Sequence, residues 1–179
     1  MMILTREPRK TAVIWRLMMI LLLCLPVLGP AGCDSGGGDD TTGPGDDPTP
    51  GPYTTRTATV TYVIDGDTIQ VNGNEKVRYI GIDTPEIGDC YYTEAKWRNF
   101  DLVDDKVVTL EVCNAEPTDQ YGRTLAHVHV GDTLVNALLL REGYARALSI
   151  PPCTSRADYY RQMMNDAFAE GAGMWSACY

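Results

Sequence analysis

One ten-residue stretch, Val77 to Glu86, constrains this chain more than any other. Apolar residues alternate along its first half, and Asp-Thr-Pro-Glu ends it, which indicates a strand that leaves a sheet and enters a turn. Arg78 lies on the strand, five residues before Asp83. A cation on a rigid strand beside carboxylates suits a site that holds a metal next to an anionic substrate. A surface strand on which Arg78 pairs with Asp83, followed by an ordinary helical turn, is equally compatible with the stretch alone.

The residues before this stretch predict two further strands. Residues 58–64 alternate as a half-buried strand does, and residues 69–71 continue the pattern after the polar tetrapeptide 65–68 (Asp-Gly-Asp-Thr). Asp-Gly between two such runs is a hairpin or bulge signal, although most Asp-Gly pairs are only turns. Residues 72–74 (Asn-Gly-Asn) form a second turn signal. The sequence therefore predicts a three-stranded meander with carboxylates at its strand ends.

The second half of the chain alternates between helical and strand periodicity. Helices are predicted at residues 91–103, 135–140 and 155–170, and strands at residues 107–112 and 125–130. His127 and His129 share one face of the last strand and could hold a metal, but a solvated strand face is the favoured interpretation. The order β-β-β-α-β-β-α-α predicts an α+β fold: a five-stranded Greek-key β-barrel of the OB-fold type with three helices.

The N-terminus predicts export. Residues 1–32 combine a basic start, a short apolar run and a small-residue ending, which is typical of a signal peptide. The final Gly-Cys is similar to the lipobox of bacterial lipoproteins, so Cys33 is the expected lipidation site. A lipid-anchored protein of the cell envelope, periplasmic or on the cell surface, is expected; plain secretion and an uncleaved anchor are the alternatives. Residues 33–55, rich in Gly, Asp, Pro and Thr, predict a disordered acidic linker, and residues 56–179 the folded domain.

Four cysteines remain in the predicted domain: Cys90, Cys113, Cys153 and Cys178. Four cysteines in an exported chain indicate two disulfides, and the domain has no Cys-x-x-Cys pair to indicate a zinc site. Three pairings are possible. The pairing of Cys90 with Cys113 and of Cys153 with Cys178 is favoured, because each bond would join neighbouring parts of the chain.

The predicted domain is acidic. Residues 56–179 contain eleven lysines and arginines against eighteen aspartates and glutamates, a net charge of −7. Domains that bind nucleic acid usually carry a basic footprint. Any contact with a polyanion must therefore come from a few local cations or from a bound metal.

Three clusters occur together in an order and spacing that resemble one family. They are residues 63–68 (Val-Ile-Asp-Gly-Asp-Thr), the stretch 77–86, and residues 119–123 (Asp-Gln-Tyr-Gly-Arg). On these clusters the chain resembles the thermonuclease (staphylococcal-nuclease-like) family over roughly residues 59–175. The resemblance implies a calcium-dependent phosphodiesterase on an OB-fold, which hydrolyses DNA and RNA to 3′-phosphorylated products.

The resemblance also implies a metal site. Asp67 and Asp83 match the family's calcium-binding carboxylates, and Thr84 matches the residue that gives a backbone carbonyl. Oxygen ligands of this kind suit a hard cation such as Ca²⁺. Asp65 matches a supporting acid near the metal.

Three further residues match the family's catalytic side chains. Glu86 matches the acid that activates or orients the attacking water, and Arg78 and Arg123 match the two arginines that hold the phosphate. Asp119 and Tyr121 match supporting residues of the second arginine's loop. The chain departs from the family at Gln120, where a lysine is expected, and after Ala145, where the nucleotide-binding tyrosines are missing.

A catalytically inactive OB-fold module that binds nucleic acid or oligosaccharide at the cell surface is the alternative function. A structural or adhesive surface protein is a third possibility. The presence of both arginines and all the acids favours an enzyme, because a module that only binds a polyanion has no use for a carboxylate pair. We expect a monomer that acts on DNA and RNA and is attached to a membrane through Cys33.

Overall fold

The computed structural model describes residues 51–179. The predicted signal peptide at 1–32, the lipidation site Cys33 and the linker as far as residue 50 lie outside the described residues. Within residues 51–179, none of the helices combines the length and the apolar composition that a bilayer crossing requires.

The described residues form eight strands and four helices. The strands are β1 (Tyr53–Val63), β2 (Thr68–Val71), β3 (Glu75–Tyr79), β4 (Ile82–Asp83), β5 (Val107–Cys113), β6 (Thr124–Val130), β7 (Thr133–Leu134) and β8 (Arg146–Ala147). The helices are α1 (Tyr92–Val103), α2 (Val135–Arg141), α3 (Ala157–Glu170) and α4 (Met174–Ala177). The three predicted helices are therefore present, and the four-residue α4 is an addition.

The five predicted strands form a closed barrel. Neighbours pair antiparallel in the order β3-β2-β1-β5-β6, and a parallel pairing between β3 and β6 closes the ring. Alternate side chains of each strand point inward and fill the interior. These fully buried side chains include Val60, Ile69, Val71, Val77, Leu110 and Val128. The predicted five-stranded barrel is confirmed.

Helix α2 covers part of the barrel and is fixed to it by a buried amide. Asn136 accepts a hydrogen bond from the Val128 N–H at 2.9 Å and donates one to the Ile80 carbonyl at 2.8 Å. Asn136 thereby links β6 to the chain that leaves β3. This chain continues into β4, which pairs with β8 so that Asp83 lies opposite Arg146.

The first strand begins earlier than predicted. Tyr53, Thr54 and Thr55 fall within the predicted linker 33–55, but they pair with the end of β5, from Cys113 to Glu111. Tyrosine and threonine favour strands, and β5 offers the backbone partners that a linker would lack. The linker boundary at residue 55 is therefore wrong, and the folded domain includes these residues.

The predicted disulfide pairing is also wrong. The structure joins Cys90 to Cys178 and Cys113 to Cys153, with Cα–Cα distances of 6.0 and 6.1 Å. Helix α4 brings Cys178 to the loop before α1, and the end of β5 lies beside the segment that leads to α3. Proximity along the chain was the wrong guide, because the barrel brings distant segments together.

The histidine face of β6 is covered rather than solvated. His127 is only 1% exposed, its ring lies 5.0 Å from that of Tyr53, and its Nδ1 is 2.7 Å from the Tyr160 hydroxyl. His129 is half-buried, with Nε2 3.4 Å from Glu111. The prediction of a solvated face fails at His127, because β1 extends to Tyr53 and α3 places Tyr160 over the strand.

Candidate active site

The closure of the barrel brings the two predicted phosphate-binding arginines to one cleft. In the parallel pairing of β3 with β6, Arg78 lies opposite Leu125, and Arg123 precedes Leu125 by two residues on the same face. Arg78 and Arg123 both line a cleft of about 390 Å³, together with Tyr121. Two residues that are 45 positions apart in the chain thus share one site because their strands are neighbours.

Arg78 binds both of the predicted metal-binding carboxylates. Its Nη1 is 2.6 Å from Asp67 Oδ2, and its Nη2 is 3.0 Å from Asp83 Oδ1. Nη1 also donates to the Ile82 carbonyl at 3.1 Å. The Arg78 side chain is 14% exposed, so the ion pairs are largely protected from solvent. The ion pair between Arg78 and Asp83, which the sequence offered as one interpretation, is present, and Asp67 joins it to form a three-member cluster.

Asp67 is the most buried charge of this cluster. Its Oδ2 accepts a hydrogen bond from the Thr84 N–H at 2.9 Å, and its Oδ1 accepts one from the Thr68 hydroxyl at 3.2 Å. Burial nevertheless raises the pKa of Asp67 to about 7, against the opposing effect of Arg78. One guanidinium is thus insufficient to offset the desolvation of this carboxylate, which favours any further cation that can bind it.

The loop that carries Asp67 has its shape fixed by a glycine. A Cβ atom on Gly66 would lie 2.8 Å from the Thr84 side chain, closer than such atoms approach in proteins. The Asp67 N–H donates to Asp65 Oδ1 at 3.1 Å, which tightens the turn. The predicted supporting residue Asp65 therefore acts on the loop of Asp67, and the Asp-Gly-Asp sequence is more than a simple turn.

Sequence reasoning missed a buried polar residue behind this loop. Asn99 of α1 is fully buried, donates to the Asp65 carbonyl at 2.9 Å and accepts from the Tyr79 hydroxyl at 2.9 Å. The Tyr79 N–H in turn donates to the Asp67 carbonyl at 2.9 Å. The available signal was the four-residue spacing of Ala95, Asn99 and Val103, which places an amide on the buried face of the helix.

The second arginine is held by its own loop. Asp119 Oδ1 accepts hydrogen bonds from the N–H groups of Tyr121 and Arg123, and Oδ2 accepts one from Arg123 Nε at 2.7 Å. Burial opposes the charge on Asp119, but the hydrogen bonds from Arg123 hold its pKa below the ordinary value. The Arg123 guanidinium lies 5.3 Å from the Tyr121 ring centre. Asp119 thus orients Arg123 and leaves part of the guanidinium for a ligand.

Glu86 lies on the loop after β4, two residues beyond Thr84. It is exposed, and its N–H donates to Asp89 Oδ2 at 3.1 Å. Within residues 51–179, no hydrogen bond or ion pair engages the Glu86 carboxylate. The Glu86 carboxylate is therefore open to solvent, and it lies close in sequence to Asp83, which belongs to the Arg78 cluster.

The candidate metal ligands form a small set of oxygen atoms. Asp67 and Asp83 converge on one guanidinium, and the backbone of Thr84 follows Asp83 directly. Nowhere in residues 51–179 do three or more His, Cys, Asp or Glu side chains form a group that could share a metal. A cation bound here would thus have two carboxylates and a carbonyl, with its other positions left to water or substrate.

A sequence model described as "Staphylococcal nuclease homologue" matches residues 76–177, more than half of the chain. The chain belongs to the staphylococcal nuclease family. The family match begins at β3 and includes β6, so both arginines of the cleft lie inside it.

Three relatives illustrate the similarity. The SPbeta prophage-derived endonuclease YokF of Bacillus subtilis is 38% identical over 128 residues, which are 66% of this chain and 43% of that protein. Endonuclease YncB of the same organism is 38% identical over 66% of this chain and 61% of its own length. The thermonuclease of Staphylococcus intermedius is 40% identical over 60% of this chain and 67% of its own length. The chain thus spans less than two thirds of the two Bacillus proteins.

Proposed function

We propose that this chain is a calcium-dependent nuclease that hydrolyses phosphodiester bonds of DNA and RNA to 3′-phosphorylated products. One observation carries the proposal: the guanidinium of Arg78 joins Asp67 to Asp83 in the wall of a cleft that Arg123 also lines. Family membership supports it, since the curated relatives are named as endonucleases and thermonucleases.

The two arginines supply the positive charge that this reaction needs. A phosphodiester repels an attacking nucleophile through its anionic oxygens, and more negative charge develops on these oxygens as phosphorus becomes five-coordinate. Guanidinium groups match the geometry of phosphate oxygens and bind them through paired N–H donors. Arg123, oriented by Asp119 before the substrate arrives, stabilises this charge without costly reorganisation, and Arg78 contributes once a bound cation has weakened its own ion pairs.

Asp67, Asp83 and the Thr84 carbonyl would hold Ca²⁺. The residues fit this ion, because all three donors are oxygen atoms and two of them belong to carboxylates that converge on one guanidinium. When bound, the ion supplies Lewis-acid polarisation of the phosphate and neutralises charge in the transition state.

Metal and substrate should bind cooperatively at this site. Arg78 spends two of its nitrogens on Asp67 and Asp83. A second cation on these carboxylates would reduce their hold on the guanidinium, which would then be available to a phosphate. Because coupling between two ligands is reciprocal, a bound phosphate would raise the metal affinity by the same factor.

Glu86 is the residue proposed to accept the proton of the attacking water. A general base must be ionised, must reach the water and must not be engaged elsewhere. The Glu86 carboxylate is exposed on the loop that follows the metal ligands. The proton that Glu86 accepts from the water would pass to solvent after each turnover.

The decisive experiment follows cleavage and binding together. The full-length chain is incubated with labelled single-stranded DNA or RNA, in Ca²⁺ or in EDTA, while fluorescence anisotropy reports binding. We expect Ca²⁺-dependent cleavage that Glu86→Gln and Arg123→Ala each abolish, and that Arg98→Lys, away from the cleft, preserves. Binding without cleavage by the unmodified chain would instead establish the inactive OB-fold module.

The same proposal includes export and attachment to the cell envelope through a lipid on Cys33. The two disulfides of the described residues support an oxidising compartment. Intact-mass measurement of the native protein tests this part: a mature chain that begins at Cys33 and carries acyl mass is expected. A chain cleaved without lipid would indicate secretion. Analytical ultracentrifugation tests the expected monomer.

A further inference from the structure

One arginine of the described residues differs from the others. Residues 51–179 contain eight arginines, and seven of them lie within ion-pair distance of an aspartate or glutamate. Within residues 51–179 Arg146 has no such carboxylate partner; it donates a hydrogen bond to the Tyr179 hydroxyl, and it is exposed. In a domain of net charge −7, an unneutralised guanidinium is the feature to which an anion would be drawn.

Arg146 is placed beside the active site by strand pairing. In the antiparallel pair of β4 and β8, Arg146 lies directly opposite Asp83. Residues opposite each other in such a pair project their side chains from the same face, about 5 Å apart at the backbone. Arg146 therefore belongs to the face on which Asp83 meets Arg78.

Two aromatic rings accompany Arg146. Its guanidinium lies 5.8 Å from the ring centre of Trp175 and 5.7 Å from that of Tyr179. The two rings are stacked on each other, with centroids 5.5 Å apart and planes inclined by 28°. Tyr179 is 74% exposed, so one face of this stack remains open to a ligand.

A cavity connects this group to the loop of Glu86. It has a volume of about 280 Å³, and its lining includes Pro85, Asp89, Arg146 and Tyr179. The disulfide between Cys90 and Cys178 joins the same loop to the end of α4. The carboxylate of Asp89 is engaged by the Glu86 N–H, which leaves Arg146 as the charged group open to a ligand.

We infer that Arg146, Trp175 and Tyr179 form a subsite for a nucleotide of a single strand next to the one being cleaved. Arg146 contacts a backbone phosphate, and a base stacks on the open face of Tyr179. Proteins that bind single strands without sequence preference combine cations with aromatic rings in this way. The subsite rests on the proposed nuclease function. Its cavity lies beside the loop of Glu86, whereas Arg123 and Tyr121 line a separate cleft.

The test compares a long substrate with a short one. Cleavage of a 12-nucleotide single strand and of a dinucleotide is measured for the full-length chain, for Arg146→Gln and for Tyr179→Leu. We expect the kcat/KM for the 12-nucleotide strand, divided by that for the dinucleotide, to fall about tenfold in each variant. This is the effect of one lost stack or phosphate contact. A general loss of folded protein lowers both values equally and leaves the ratio unchanged.

Matched controls and a binding measurement complete the test. Arg161→Gln and Tyr159→Leu change exposed residues of the same types on α3, and both should preserve the ratio. An unchanged ratio in Arg146→Gln overturns the subsite. If the unmodified chain cleaves neither substrate, the proposed function fails, and anisotropy with the labelled 12-mer decides separately: about tenfold weaker binding by Arg146→Gln supports the subsite, and equal binding rejects it.

Discussion

The guanidinium of Arg78 contacts two carboxylates and a carbonyl at once through its separate N–H donors. A lysine at this position would retain the charge but would lose the simultaneous contacts. We expect Arg78→Lys to lower kcat by about 10²- to 10³-fold, the scale of one lost donor to a developing oxyanion. Initial rates at saturating Ca²⁺ and DNA measure this.

The control for this prediction is Arg98→Lys. Arg98 makes a two-pronged ion pair with Glu142 between α1 and α2, and neither residue lines the cleft. The Arg98→Lys variant should lose some stability and keep the kcat of the unmodified chain. A kcat for Arg78→Lys within tenfold of the unmodified value would show that charge alone suffices.

His127 predicts how stability depends on pH. Burial, reinforced by Arg156, lowers its pKa from 6.5 to about 3. Below about pH 6.5, His127 therefore binds a proton in the unfolded chain but stays neutral in the folded chain, so unfolding becomes more favourable as pH falls. At about 1.4 kcal/mol per unit, this residue removes about 3 kcal/mol of unfolding free energy between pH 7 and pH 4.

The measurement is urea unfolding of His127→Gln across this pH range. Glutamine offers polar atoms to Tyr160 and cannot be protonated, so the variant should lose less stability than the unmodified chain as pH falls. Its stability at pH 7 is irrelevant to the test. Parallel pH profiles for the two proteins would show that His127 is not the acid-sensitive group.

The sequence singled out the side chains of the proposed active site, but not the residues that support them. Asp67, Asp83 and Arg123 belong to polar clusters at strand ends, where function is common. Asn99 and His127 lie inside regular periodic segments. The spacing of Ala95, Asn99 and Val103 indicates the buried face of α1, but no periodic pattern reveals which groups a buried amide or imidazole binds. Their partners come from distant parts of the chain, which local sequence does not reveal.

At the scale of elements, α1 positions the loop of the proposed metal site through Asn99. Asn99→Leu keeps the approximate volume but leaves the Asp65 carbonyl and the Tyr79 hydroxyl without partners, at a cost of about 2 kcal/mol. Because Asp65 and Asp67 belong to one turn, we expect a higher Ca²⁺ concentration for half-maximal activity. Tyr79→Phe removes only the hydroxyl contact, so it should lower stability with little change in that concentration.

The two disulfides brace different sides of the site. Cys90–Cys178 holds the exposed loop of Glu86 and closes a segment of 88 residues, whereas Cys113–Cys153 closes 40 residues and holds the wall of the cleft. Replacing either pair by serine should cost about 4 kcal/mol of stability. We expect loss of the first pair to lower kcat roughly tenfold through misplacement of Glu86, and loss of the second to raise KM. Equal kinetic effects would contradict this division.

The main strands and helices were predictable because each has a strong hydrophobic period. The two-residue strands β4, β7 and β8 have none, and they form only because neighbouring segments offer backbone partners. The pairing of Cys90 with Cys178 depends on where α4 lies. Four residues are too few to reveal this helix by periodicity.

At the scale of the whole molecule, the acidic surface limits how nucleic acid binds. Because residues 56–179 carry a net charge of −7, affinity must come from a few local phosphate contacts. Binding to single strands weakens with salt by a log–log slope of about 0.7 per contact, so two or three arginines predict a slope between about −1 and −2. Anisotropy titrations of Glu86→Gln in Ca²⁺, at several salt concentrations, measure it; a slope beyond about −4 would require a basic surface that residues 51–179 do not show.

The parallel pairing of β3 with β6 has a consequence for when the proposed nuclease would become active. The seam at which the ring closes is also where Arg78 and Arg123, the residues proposed to bind phosphate, line one cleft. A chain in which that seam is still open has the right residues but no place for a phosphate. For the exported nuclease proposed above this would be a safeguard, since a polypeptide kept unfolded until translocation would leave the nucleic acids of its own cell intact.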